Sequence, residues 1–309
     1  MIAAGVALLY VVCAKLGLAL SFRAAQVTAV WPPTGFALAA ILIFGRRAAA
    51  GVLLGAFLAN ATTNEPLWVA AGIALGNTLE AWTGAILLRR IRFDARLAHV
   101  RDVIVLLGAL IVSPVVSATI GVASLGVGGV RPTSTLPELW WIWWLGDALG
   151  GLLVTPMLLV WSHGEPMPRR RGAIVEGTLL LAGLLGVSAF VFLGPTNVAA
   201  IEYIVFPFLI WAALRFGAAG SATAAIVANA VAVYGTHLGR GPFAGAGPER
   251  GLVPLQLFMA VAATTGLLLG AAAAPPSPIR GRRSTACSRR CRRPRYCWPR
   301  SSTCRWTGE

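Results

Sequence analysis

Charged residues are scarce in this chain. Only 12% of the 309 residues are Asp, Glu, Lys or Arg, and 57% are hydrophobic, whereas soluble domains contain about 25% charged residues. This composition excludes a soluble globular domain. Histidine occurs three times, at positions far apart in predicted loops. None of the three stands beside a carboxylate at a spacing typical of a nucleophile or a metal centre. We therefore predict no catalytic residue, no metal site and no cofactor.

Cysteine is nearly absent from the first 274 residues, where Cys13 stands alone. A disulfide framework for that region is excluded. The other four cysteines lie within residues 275–309, together with ten arginines and one acid. Because this stretch lacks Leu, Val and Phe, it cannot form a core. We predict a disordered Arg/Cys/Pro-rich tail at 275–309, translated from a shifted reading frame, after a folded domain at 1–274. Most of the net charge of +15 belongs to that tail, so we predict no nucleic-acid partner.

Apolar segments fill the predicted domain. Some reach the roughly 20 residues that a membrane-spanning helix needs, and others are shorter. They predict an all-α polytopic integral membrane bundle with eight to ten transmembrane helices, in which the first segment is a retained helix and no signal peptide. Arginine clusters mark alternate loops and predict that both termini are cytoplasmic, in the cytoplasmic (inner) membrane of a bacterium. The segments lie near residues 2–20, 34–45, 48–63, 67–88, 103–127, 139–161, 174–193, 203–214, 218–236 and 252–274.

Two acids lie well inside these segments, away from their ends. Asp147 lies in WWIWWLGDALGGLLVTP, and Glu80 lies in GIALGNTLEAWTG, with Asn77 three residues before it. A charge at membrane depth costs about 3 kcal/mol and marks a functional site by default. At about 1.5 Å of rise per residue, Asn60, Asn77 and Asp147 reach similar depths. We predict that these four residues form a ligand-sensing pocket. The alternative is that they satisfy one another and hold the helices together.

Other residues are candidates for lining that pocket or packing its helices. Glycines four residues apart let helices approach closely. Adjacent prolines start a helix, so the Trp-Pro-Pro sequence is either an interfacial anchor or a cavity wall. Hydroxyls follow a proline kink after Ser113 and either cap freed carbonyls or line a cavity. These candidates are Gly76, Gly146, Gly150, Trp31, Pro32, Pro33, Ser117 and Thr119.

Four strings occur in the order VWPPTGFALAAILIFGRRAAAGVLLGAFLANATTNEP, GIALGNTLEAWTGAILLRR, SPVVSATIGV and WWIWWLGDALGGLLVTP. In order and spacing they resemble the first-described class of bacterial membrane-associated sensor domain, the MASE type, over about residues 5–274. The resemblance implies an integral-membrane sensory input module. Such modules are normally joined to a histidine kinase of a two-component system or to a GGDEF diguanylate cyclase of cyclic di-GMP signalling. No phosphoacceptor His motif and no GGDEF string occurs in the sequence, so we predict that the chain is not an enzyme.

Three functions are compatible with these features. The first is a sensory module that reads a small molecule or an ion at the intramembrane pocket. The second is a proton- or ion-coupled transporter of small solutes, although no internal repeat stands out in the sequence. The third is a membrane anchor without a ligand. The expected partners are membrane lipids and the unidentified ligand, with a second copy of the chain and a separate signalling protein as further options.

Overall fold

The described part of the chain is helical. A computed structural model describes residues 1–20, 29–63, 66–163, 171–195, 201–244 and 248–274. Within these ranges there are ten α-helices, two short 3₁₀ turns (Thr133–Thr135 and Ile201–Val205) and no strand. The all-α prediction is confirmed. The helices are α1 (Ile2–Ala19), α2 (Pro32–Phe44), α3 (Arg46–Ala61), α4 (Leu67–Arg90), α5 (Val100–Val112), α6 (Pro114–Val127), α7 (Leu136–His163), α8 (Arg171–Phe192), α9 (Phe206–His237) and α10 (Pro248–Ala272). The predicted tail at 275–309 lies outside the described residues.

Six stretches of the described residues are long and apolar enough to cross a bilayer. They are Ile2–Ala19, Val100–Val127, Thr133–His163, Gly172–Phe192, Ile201–His237 and Gly251–Ala272, and α2 is a shorter apolar helix. Large apolar side chains such as Leu8, Leu54 and Ile104 face outward, while Asn77 and Asp147 are buried. This arrangement reverses the usual distribution of a soluble protein. The predicted polytopic membrane bundle is thus confirmed, while its orientation and the count of eight to ten crossings stay predictions.

Prolines begin α2 and α6. Pro32 and Pro33 occupy the first turn of α2, where a missing N–H has no cost. α5 ends at Val112 and Pro114 begins α6, so the break lies where the sequence predicted a kink.

An ion pair lies in the loop after α4, where Asp94 and Arg96 are 2.8 Å apart. The guanidinium holds the pKa of the Asp94 carboxyl below its usual range. The ion pair therefore links two residues of the loop between α4 and α5.

α7 contacts helices from both the N-terminal and the C-terminal half of the chain. It packs against α2 and α6 on the N-terminal side of the chain and against α9 and α10 on the C-terminal side. α1 packs on α3, and α4 packs on α6. Arg89 donates a 2.7 Å hydrogen bond to the Ile41 carbonyl, so the C-terminal ends of α2 and α4 lie together. The helix that carries Asp147 is therefore the shared element of the bundle.

Two glycines interrupt helices with the same backbone geometry. Gly45 joins α2 to α3 at φ 68°, ψ −146°, and Gly217 breaks α9 at φ 59°, ψ −146°. A Phe precedes each glycine. In each following helix an Asn side chain donates a 2.8 Å bond to the carbonyl four residues earlier, Asn60 to Ala56 and Asn229 to Ala225. The sequence interpretation found no repeat, but the structure shows this matched pair of breaks. The predicted segment 203–214 begins in the 3₁₀ turn and covers the first part of α9, and the predicted segment 218–236 covers the part of α9 after Gly217.

Replacing Gly217 with alanine should destabilise the protein by about 1–3 kcal/mol, because that backbone region is almost closed to residues with a Cβ. Thermal unfolding in detergent measures the loss. Gly186→Ala in α8 is the matched control, because a Cβ there meets nothing within 4 Å and alanine favours the helix. Equal midpoints for the two variants would show that the break is not required.

Candidate functional site

Asp147 lies at the centre of a polar cluster inside the bundle. Its side chain is buried, with 1% of the residue exposed. The Thr34 hydroxyl donates to Asp147 Oδ1 at 3.0 Å, and the Ser117 hydroxyl donates to Oδ2 at 2.5 Å. The indole of Trp143, one turn earlier on α7, also interacts with the carboxyl. Two hydroxyl donors, one from α2 and one from α6, therefore bond to this acid.

Glu80 lies beside Asp147 but has different surroundings. It is likewise only 1% exposed, and its carboxyl interacts with Asp147 and with the hydroxyls of Ser117 and Thr34. Neither of its oxygens has a hydrogen-bond partner of good geometry. Among the described residues, none of the ion pairs involves Glu80 or Asp147. Two buried acids are thus adjacent, with no cationic side chain paired to either.

Asn77 and Tyr10 complete the cluster. Asn77 Nδ2 donates to the Tyr10 hydroxyl at 3.0 Å, and the indole of Trp31 interacts with the same hydroxyl. Tyr10 is among the largest fully buried side chains. Asn77 Oδ1 is buried without a partner. We call Tyr10, Thr34, Asn77, Glu80, Ser117 and Asp147 the acidic cluster, which draws on α1, α2, α4, α6 and α7.

Glycines bring the helices of the acidic cluster together. The Trp31 N–H donates to the Gly146 carbonyl at 2.9 Å, and the Trp31 carbonyl lies where a Cβ on Gly150 would be. In return, a Cβ on Gly35 would overlap the Gly150 carbonyl. Backbone contact between α2 and α7 therefore places Thr34 against Asp147. Gly76 of α4 packs on Ile120 of α6.

The residues predicted to line the pocket or pack its helices lie at different kinds of position in the structure. Pro32 and Pro33 start α2 as the sequence predicted, and Gly76, Gly146 and Gly150 lie at helix contacts. Ser117 is within the acidic cluster. Thr119, two residues later, is exposed and accepts a 3.1 Å bond from the Trp140 indole. Thr119 thus lies at a contact between α6 and α7 and not in the acidic cluster, because two residues along a helix turn the side chain away from the face that Ser117 occupies.

Asn60 is also outside the acidic cluster. Its amide donates back to the Ala56 carbonyl of its own helix at 2.8 Å, and its side chain is only partly buried. Equal depth along two helices gives no information on direction around each axis, and the place of Asn60 in a ligand-sensing pocket stays a prediction. Conversely, the sequence interpretation missed Tyr10 and Thr34. The only signal in the sequence was weak, since each is a lone hydroxyl residue within an apolar helix.

The acidic cluster presents carboxyl, hydroxyl and amide groups to a ligand. Within the described ranges, no group of three or more His, Cys, Asp or Glu side chains could hold a metal ion. The expectation of no metal and no cofactor stays a prediction. The unpartnered atoms of the acidic cluster are all acceptors, namely Glu80 Oε1, Glu80 Oε2 and Asn77 Oδ1. They favour a ligand that carries a positive charge or donates hydrogen bonds.

The fold and the site define a polytopic helical membrane protein with a buried acidic cluster between its helices. The sequence model of the MASE1 family matches residues 3–274. The chain belongs to the MASE1 family, whose members are membrane sensory input domains of signalling proteins. Comparison with curated proteins and with solved structures gives no match.

Proposed function

We propose that this protein receives its stimulus at the acidic cluster, where a small molecule or an ion binds in the cytoplasmic membrane of a bacterium. The observation that carries this proposal is the pair of adjacent buried acids, Glu80 and Asp147, at the junction of five helices. Neutral residues would serve packing alone at lower cost, because a charge inside a membrane is expensive. Binding there alters contacts among all five helices, which is what a sensor requires.

A connection from the acidic cluster to the last helix supports the proposal. Gln256 of α10 is buried and donates to the Ala29 carbonyl at 3.1 Å. Ala29 lies two residues before Trp31, whose backbone rests on Gly146 and Gly150 of α7. α10 also packs directly against α7. A shift of α2 or α7 therefore reaches α10, the helix from which a cytoplasmic output domain would follow.

The output that fits this arrangement is a histidine kinase of a two-component system or a diguanylate cyclase that makes cyclic di-GMP. Both termini are then cytoplasmic, and α10 delivers the signal to that side. A second copy of the chain would allow the output to respond through a change in helix pairing. The transporter alternative gains no support from the family, and nothing in the acidic cluster requires a solute pathway.

A fusion of residues 1–274 to a diguanylate cyclase tests the sensing role. Asp147→Asn and Glu80→Gln should each change cyclic di-GMP output about fivefold or more, the range of typical allosteric coupling. Output is compared at equal membrane abundance of each variant. Glu138→Gln is the matched control, because Glu138 is an exposed acid in the first turn of the same helix as Asp147.

Unchanged output in both cluster variants would contradict the sensing role and favour a plain anchor. Uptake of candidate solutes into proteoliposomes by the purified chain, lost in Asp147→Asn, would instead favour the transporter.

A further inference from the structure

Hydrogen-bond donors are divided unequally between the two acids of the acidic cluster. Asp147 accepts hydrogen bonds from the hydroxyls of Thr34 and Ser117. Those donors stabilise an ionised carboxylate. Both oxygens of Glu80 lack a hydrogen-bond partner. Asp147 is therefore the acid that the structure equips to carry a negative charge, and Glu80 is not.

The groups that face Glu80 do not neutralise a second charge. The titratable groups around it are Asp147 on α7 and Tyr10 on α1, while α2 and α6 contribute only the hydroxyls of Thr34 and Ser117. Among the described residues, the ion pairs formed by Arg and His side chains go to Asp94, Asp102 and Glu176. Adjacent carboxyls buried without a cation disfavour simultaneous ionisation.

The number of unpartnered atoms favours a proton over a metal cation. Only Glu80 Oε1, Glu80 Oε2 and Asn77 Oδ1 lack partners in the acidic cluster. Calcium takes six to eight oxygens, and magnesium keeps several waters in an octahedral shell, whereas Glu80 is only 1% exposed. A proton on one Glu80 oxygen needs a single acceptor, and Asp147 lies beside it.

We infer that the acidic cluster holds one exchangeable proton on Glu80, shared with Asp147, and that this proton is the ligand that the sensor reads. The inference rests on the proposed sensing function and names its ligand. On binding, a hydronium ion transfers its proton to a Glu80 oxygen, an O–H bond forms and water is released. The cluster charge changes from −2 to −1. On release, two like charges face each other across α4 and α7, and α7 contacts α10.

Infrared difference spectroscopy of the full chain in nanodiscs tests the proton directly. Spectra are recorded between acidic and alkaline pH for the parent, Glu80→Gln, Asp147→Asn and Glu138→Gln. We expect the parent and Glu138→Gln to share a protonated-carboxyl band from a buried acid, and Glu80→Gln to lose it. A Glu80→Gln spectrum identical to that of the parent would overturn the inference.

Asp147→Asn provides a second measurement that does not depend on the folding of the Glu80 variant. Without the neighbouring charge, the band should disappear at a lower pH, with the proton affinity at least about tenfold weaker. An unmoved midpoint would overturn the inference. Exchange of Na⁺ for choline at constant ionic strength should leave the parent midpoint in place. A midpoint that moves with the Na⁺ concentration would overturn it in favour of a metal cation.

The two experiments distinguish a failure of the ligand assignment from a failure of the sensing function. If the fusion responds to Asp147→Asn and Glu80→Gln but no Glu80 proton is found, the sensing function stands and its ligand is another donor or cation. If the proton is found but fusion output ignores pH and both variants, the sensing function and the signalling role of the proton are both overturned.

Discussion

Replacing Gly150 with valine should prevent the normal packing of α2 on α7. A Cβ at Gly150 would overlap the Trp31 carbonyl oxygen, with the Trp31 carbonyl carbon and Pro32 nitrogen also close. Those atoms belong to backbone and to a rigid Pro-Pro helix start, so they cannot move aside as a flexible side chain would. We expect a loss of about 3 kcal/mol or more in unfolding free energy. Size exclusion and thermal unfolding in detergent measure it.

The matched control for this prediction is Gly108→Val in α5, where a Cβ meets nothing within 4 Å. Gly150→Ala should fall between the parent and Gly150→Val, since its single methyl already overlaps the carbonyl. The clash would also move Thr34 away from Asp147, so fusion output should change even in the folded fraction. Equal stability of Gly150→Val and Gly108→Val would show that α2 and α7 do not touch in the membrane.

Tyr10→Ala is expected to destabilise the bundle by about 3 kcal/mol or more. Tyr10 is fully buried, and removing a large aromatic ring leaves a cavity whose lining loses its van der Waals contacts. The variant also leaves Asn77 Nδ2 without its acceptor, which adds the cost of an unsatisfied buried donor. Unfolding by SDS in mixed micelles measures the change.

Tyr10→Phe separates the ring from the hydroxyl. It retains the packing and should lose only about 1–3 kcal/mol, the cost of leaving the Asn77 donor unpaired. Tyr234→Ala in α9 is the control, because that ring is half exposed on the outer surface and should change stability little. A Tyr10→Ala variant as stable as Tyr234→Ala would contradict the central position of Tyr10.

Much of this fold follows from composition and hydropathy. Apolar length located the helices, and the proline at position 114 located the break between α5 and α6. Glu80 and Asp147 were identifiable because a charge inside an apolar run is physically costly. Tyr10 and Thr34 gave no comparable signal, since a lone hydroxyl residue is inexpensive in a helix.

The predicted depth of a residue did not give the direction of its side chain. Asn60 has the same predicted depth as Asp147, yet its amide donates to its own helix, because side-chain direction depends on how α3 is rotated against α1 and α4. Thr119 likewise lies on a different face of α6 from Ser117 and contacts Trp140 of α7. Rotation about a helix axis is set by tertiary packing, which helical spacing alone does not specify.

The matched breaks at Gly45 and Gly217 give this molecule an internal reference. Gly45 between α2 and α3 and Gly217 within α9 have the same backbone geometry, and the helix after each glycine carries an asparagine bonded in the same way. Of these two helical units, α2–α3 packs against α4, the helix that carries Glu80 and Asn77. Substitution of Gly217 therefore measures the loss of stability caused by removing such a break alone. The same substitution at Gly45 measures that loss together with any effect on the helices that carry the acidic cluster.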